Sequence, residues 1–157
     1  MLCAGVMLLC VVSEYLGRSI AEKYIAVSHN YGAAFGIMKG IPEVALMLSG
    51  GACVAILGVI CFVRMRPMMR LGLSIMAGGA LSNLGERILW GYVVDWIPVP
   101  FMDLQYNLAD VEISLGALIV FVMMMKDSPD NFSDGDNSSH DKHSVMMKDS
   151  PDEPSGE

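Results

Sequence analysis

The stretch "GGALSNLGERILWGYVVDWI" occupies residues 78–97. It closes a run of about twenty residues whose earlier part is suited to lipid, the length a helical span requires. Asn83, Glu86 and Arg87 stand at i, i+3 and i+4, so a helix here places all three on one face. Charges inside a span are costly, and such a face is expected to turn toward the interior of a bundle. The stretch therefore predicts the end of a membrane helix at which polar groups gather into a site.

Composition agrees. The chain has 157 residues, of which 54% are hydrophobic, and a mean hydropathy of +0.49, too apolar for an ordinary soluble domain of this size. The net charge of −7 is unevenly spread. From Lys126 onward there are nine acids and three lysines, a net of −6, and the preceding residues carry only −1. No basic patch suggests nucleic acid. Cys3, Cys10, Cys53 and Cys61 lie in apolar runs without a CxxC pair and read as small hydrophobes; neither a disulfide framework nor a metal site is expected. The N-terminal run lacks a basic leader and a small-x-small cleavage site, and reads as an uncleaved first span.

Four spans are expected, at residues 2–20, 42–63, 71–90 and 109–125, the second opened by a proline suited to the first helical position. "RMRPMMR" at 64–70 joins spans two and three with three arginines and no acid, which assigns it to the cytoplasm. Both termini are then cytoplasmic, and residues 21–41 and 91–108 face outward. On this topology Arg18, Glu86, Arg87, Asn107 and Asp110 collect at one depth, near the outer side. Ser74, Gly78 and Ser82, and likewise Ala45, Ser49 and Cys53, repeat every four residues and suit close packing within one bundle. Residues 1–125 are thus expected to form the transmembrane domain. Residues 126–157, rich in Asp, Ser, Pro and Asn, are expected to form a disordered acidic tail. That tail repeats "MMKDSPD" (124–130 and 146–152). It also holds an isolated HxxH, His140 to His143, read as incidental.

The outer cluster suggests acid–base chemistry. Two carboxylates in a partly dry site cannot both ionise easily, so they share a proton. One can then activate water while the other protonates a leaving amine. Glu86 and Asp110 are the candidates on spacing, each with an asparagine three residues earlier, Asn83 and Asn107; Arg87 suits a carbonyl or an anion. The competing reading is an Arg87–Asp110 ion pair that fastens two helices.

Three segments, "NYGAAFGI" at 30–37, the stretch at 78–97 and "YNLAD" at 106–110, carry a resemblance to a known family. In order and spacing they resemble the N-x-G-A-A-F, G-N-x-x-D-R…G-x-V-V-D-F and F-N-x-A-D patterns of the bacterial signal peptidase II (lipoprotein signal peptidase) family. The resemblance spans most of residues 14–121. It implies an all-α membrane protein of four transmembrane helices with a small extracytoplasmic β-like cradle. It further implies an aspartic endopeptidase of the bacterial cytoplasmic membrane, with its active site on the outer face. Such an enzyme removes signal peptides from diacylglyceryl-modified prolipoproteins and requires no metal or organic cofactor. The implied partners are those substrates and membrane lipids, and the chain is expected to be monomeric.

Carried over residue by residue, Asp110 takes the place of one catalytic aspartate and Glu86 that of the other. Asn30, Asn83, Arg87 and Asn107 match polar residues lining the family's site. Glu14 and Arg18 resemble the D-Q-x-x-K of the first span with charges kept, and Asp95 and Trp96 match the V-V-D-F element. Ser82 replaces a glycine and Tyr106 a phenylalanine. Glu in place of Asp moves a carboxylate by about 1–1.5 Å, and a misplacement of ~1 Å can cost on the order of 10²-fold in rate. Two functions therefore stand: a divergent working peptidase, or a non-catalytic paralogue that binds lipidated signal helices without cutting. Residues 21–41 are expected to supply the substrate cradle. Tyr24, Tyr31, Trp90, Tyr92 and Trp96 read as headgroup-level anchors.

Overall fold

The computed structural model describes residues 2–32, 42–101 and 104–126. Four helices carry the fold: α1 (Leu2–Tyr24), α2 (Pro42–Phe62), α3 (Pro67–Trp90) and α4 (Leu108–Lys126). Four short strands, β1 (Ser28–Asn30), β2 (Val93–Asp95), β3 (Ile97–Pro98) and β4 (Gln105–Tyr106), lie in the connections after α1 and α3. Nearly all of this belongs to the first of two compact units, Met1–Met123 and Met124–Glu157. The tail with its repeat and HxxH, and the "AAFGI" part of the cradle segment, lie outside the described residues.

The helices start and stop for local reasons. Pro42 and Pro67 each occupy the first turn, where the missing N–H is no loss. The arginine-rich connection is consequently shorter than expected, because Pro67–Arg70 is already the first turn of α3. At the other end Gly91 adopts φ +79°, and its N–H bonds to the carbonyl of Arg87 at 3.0 Å. This left-handed cap, natural to glycine, ends α3 and turns the chain back into β2.

Among the described residues α1, α2 and α4 are long and apolar enough to cross a membrane. The third expected span is a helix of 24 residues, about 36 Å long, but it carries Arg70, Glu86 and Arg87 along with many small residues. Position accounts for its polarity. α3 is the hub of the bundle, burying Ser74, Ala77, Gly78, Gly79, Ser82, Asn83 and Glu86 among others, and its neighbours replace lipid. Both small-residue rows contribute, with Ala45 and Cys53 of α2 also buried.

Close approach requires the glycines. A Cβ on Gly79 would stand 2.5 Å from the carbonyl oxygen of Ala109, and one on Gly78 2.5 Å from Cys10 Cβ. α3 is thereby clamped between α1 and the start of α4.

Two antiparallel pairs crown this end of the bundle. β1 pairs with β2 (Ser28 opposite Asp95, Asn30 opposite Val93), and β3 pairs with β4. Of the expected β-like element the described residues show a small two-stranded pairing, β1 with β2, and β2 is wholly buried.

Candidate active site

Asp95 ends β2, and its diagonal neighbour Asn30 on β1 shares its face. Asn30 Nδ2 donates to Asp95 Oδ2 at 3.0 Å, and Asn107 Nδ2 donates to Asp95 Oδ1 at 3.2 Å. Asn107 is the hinge of the arrangement. Its own Oδ1 accepts from the backbone N–H of Asp110 at 2.8 Å, an N-cap bond that starts α4. Its amide also donates to Asn83 Oδ1 at 2.9 Å, and Asn83 Nδ2 donates to Asp110 Oδ1 at 2.9 Å. A continuous ladder of amides thus joins Asp95 to Asp110, with Asn107 only 1% exposed at its centre.

Both aspartates open onto one cavity of about 250 Å³ between α2, α3 and α4, whose polar wall is Asn30, Asn83, Arg87, Asp95, Asn107 and Asp110. Ala45, Leu48, Ala52 and Ile113 form its apolar side. Burial pushes the Asp95 carboxyl up to about 6; the Asp110 charge adds to the rise, while the Asn30 hydrogen bond and Arg87 oppose it. Arg87 donates from Nη1 to the carbonyl of Asn83 (3.2 Å) and from Nη2 to that of Gly32 (3.0 Å). Its Nε is buried without a hydrogen-bond partner. The alternative Arg87–Asp110 ion pair does not form.

The expected pairing of Glu86 with Asp110 does not form either. Glu86 is 6% exposed and lies outside that cavity wall. One of its oxygens, Oε1, stands 3.0 Å from Arg18 Nη1; the other, Oε2, accepts the backbone N–H of Val94 at 2.8 Å. The reason is rotational: at about 100° per residue Glu86 and Arg87 stand on opposite flanks of the arc with Asn83 between them, and it is the Arg87 flank that shares the cavity with Asn83. Glu86 instead borders a second, smaller cavity of about 120 Å³ with Glu14, Ser82 and Trp90.

Glu14 and Arg18 were expected to line the main site and do not; both support it from behind. Arg18 binds Glu22 at 2.9 Å as well as Glu86, and its guanidinium lies 3.8 Å over the Trp90 ring. Glu14 Oε2 accepts the N–H of Ala109 at 2.8 Å, placing a carboxylate at the N-terminus of α4, where the helix dipole favours it. Trp96 packs on Gly17 of α1, so Trp90 and Trp96 both belong to this support. Tyr31 and Tyr92 meet at a tilt of 58° with ring centroids 5.4 Å apart, and Tyr24 is exposed.

Sequence reasoning read Asp95 only as part of a matching element; the structure places it on the same cavity wall as Asp110. The available signal was a lone carboxylate within "VVDWI", beyond a glycine able to reverse the chain.

Comparison with known proteins bears on this geometry. The signal peptidase (SPase) II family matches residues 4–126. The lipoprotein signal peptidase of Moorella thermoacetica is 37% identical over 102 residues, 62% of this chain and 65% of that protein. The one from Clostridium novyi is 33% identical over 106 residues, 62% of this chain and 70% of its own. The chain thus spans just under two thirds of the length of the Moorella relative. A bacterial membrane enzyme determined by the in meso method at 2.3 Å resolution superposes with a TM-score of 0.73, at 20% identity over 82% of this chain and 90% of that one. It shares the fold. With the family match running from the first turn of α1 to the last residue of α4, this integral membrane protein belongs to the signal peptidase II family.

Proposed function

We propose that the chain is a lipoprotein signal peptidase acting as an aspartic endopeptidase, with Asp95 and Asp110 as its catalytic pair. The observation that carries this reading is the amide ladder that holds both carboxylates on one cavity wall. The pair shares one proton. Its ionised member takes a proton from a water whose oxygen attacks the scissile carbonyl; its protonated member donates to that carbonyl oxygen. Collapse of the tetrahedral intermediate breaks the C–N bond, and a proton passes to the leaving amine. Asn30, Asn83 and Asn107 hold the carboxylates in position, and the unpartnered Arg87 Nε is the donor available to a substrate carbonyl.

In this reading α3 is a fourth span, the arginines at 64–70 lie on the cytoplasmic side, and the cavity opens near the outer face of the bacterial cytoplasmic membrane. The substrate is a diacylglyceryl-modified prolipoprotein. Its apolar signal helix enters sideways from lipid, along the apolar wall of α2 and α4. The enzyme works as a monomer, and residues 127–157 form an acidic tail that is not needed for cleavage.

The experiment is expression in a bacterium depleted of its own lipoprotein signal peptidase, with processing of a tagged prolipoprotein read by gel. The parent chain should restore the mature band, and Asp95→Asn or Asp110→Asn should abolish it. Retention of uncut, lipidated precursor by the parent would instead support the non-catalytic binding role.

A further inference from the structure

A further cavity lies at the opposite end of the bundle from Asp95 and Asp110. It has a volume of about 510 Å³ and is walled by Leu2 and Val6 of α1, Arg64 and Met65 of the connection, and Arg70 and Leu71 of α3. Arg70 and Glu86 are sixteen residues apart on one helix, about 24 Å along its axis, so this cavity is separate from the candidate active site.

Among the described residues its wall carries two arginines and no acid. Arg64 and Arg70 face a space that begins where α3 begins, and the positive end of the α3 dipole adds to them. The first turn of α3 holds no acid. Arg70 Nε is buried without a hydrogen-bond partner, a costly state for a charged donor. The remaining wall is mostly apolar, with Ser74 its one further polar residue. Guanidinium groups above an apolar slot at a bundle end match an anion carried on hydrocarbon.

We propose that this cavity binds the phosphate-bearing headgroup of an anionic phospholipid. Arg64 and Arg70 hold the phosphate, and Leu2, Val6 and Leu71 receive the start of an acyl chain. Which leaflet supplies the lipid follows from the topology proposed above; the site itself does not depend on it. The acidic tail is the rival occupant, but its Asp-, Ser- and Asn-rich sequence offers little to the apolar wall.

The test uses the full chain in neutral detergent, with lipid retention read by native mass spectrometry and stability read by thermal unfolding. Phosphatidylglycerol should be retained and should raise the unfolding temperature; phosphatidylcholine should do neither. Arg64→Gln with Arg70→Gln should weaken retention by roughly 30-fold, as expected for two lost arginine–headgroup attractions. If that pair misfolds, Val6→Phe serves instead. It fills the slot while keeping both charges, and should also lose the lipid. Lys126→Gln, also a loss of one cation, should retain it. Equal retention of both lipids, full retention by Val6→Phe, or complete displacement by millimolar inorganic phosphate would each overturn the proposal. Asp110→Asn should bind lipid as the parent does, so failure of the peptidase reading and failure of this one are separable.

Discussion

Glu86→Gln and Asp95→Asn should fail in opposite ways. The Glu86 and Arg18 side chains are 7% and 8% exposed, so their ion pair is buried, and Glu86 also holds the Val94 N–H. Neutralising one member of a buried pair leaves the other uncompensated, at about 3–5 kcal/mol. Arg18 keeps Glu22 and the Trp90 face, which argues for the lower end, about 3 kcal/mol, or roughly a hundredfold in the folding constant. Glutamine can still accept from Val94 N–H through its amide oxygen, so β2 and Asp95 stay close to their places. Glu86→Gln should therefore be clearly less stable yet still cleave slowly at low temperature. Asp95→Asn reverses the pattern. Burial already disfavours the Asp95 charge, so its loss should leave stability at neutral pH equal or improved, while cleavage disappears because an amide cannot share the proton. Purified variants would be compared by thermal unfolding in detergent and by single-turnover cleavage of a lipidated precursor. A stable but inactive Glu86→Gln beside an unstable, cleaving Asp95→Asn would refute the assignment and return Glu86 to the catalytic pair.

The dyad should also show in pH profiles. Because the Asp95 carboxyl is raised to about 6 from 3.8, its protonated form favours the folded state; that stabilisation is complete below about 3.8 and is lost as pH rises through about 6. Cleavage should decline as pH rises through an upper apparent pKa no lower than about 6, and pH-dependent stability measurements should lose this limb in Asp95→Asn. Gly79→Ala places a Cβ 2.5 Å from Ala109 O, so it should cost about 1–3 kcal/mol by overpacking and reduce turnover by shifting Asp110; unfolding and cleavage assays check both. A reporter fused after Arg66 should behave as cytoplasmic and one fused near Val99 as exported, the opposite pattern contradicting the four-span reading. Truncation after Lys126 should leave accumulation and processing unchanged on a membrane blot.

Among the described residues hydropathy marks α1, α2 and α4 plainly, because a lipid-facing surface writes itself into the chain one residue at a time; α3, covered by its neighbours, carries a weaker signal. Helix ends are also less plainly marked. α1 continues to Tyr24 through "AEKY", good helix formers that carry no apolar signal. The proline rule that correctly opened α2 at Pro42 applied equally at Pro67, where the arginines concealed it. The site divides in the same way. The structure brings Asp110, Asn83 and Asn107 together as their spacing led one to expect, because each lies on or beside a helix whose period can be counted. Asp95 was undervalued because its position depends on a reversal at Gly91 and on pairing with Ser28–Asn30, some 65 residues away. Helical spacing brings Glu86 near Asn83 in projection, but only packing against α1 shows that it turns to Arg18.

That packing also changes the meaning of the departures from the family pattern. Glu at 14, Arg at 18 and Glu at 86 stand where the resemblance expects Asp, Lys and Asp. Glu14 and Glu86 border one small cavity, and Arg18 closes on Glu86. Each change keeps its charge and substitutes a longer or broader side chain, as one repacked cluster behind β2 would require. On the larger cavity, by contrast, Asn30, Asn83, Arg87, Asp95, Asn107 and Asp110 all match the pattern, both carboxylates being aspartates. A glutamate at position 86 favours a non-catalytic paralogue only if it belongs to the catalytic pair. With Asp95 and Asp110 as that pair, the glutamate belongs to the scaffold, its extra methylene is taken up against Arg18, and no displacement of a reacting carboxylate follows from it.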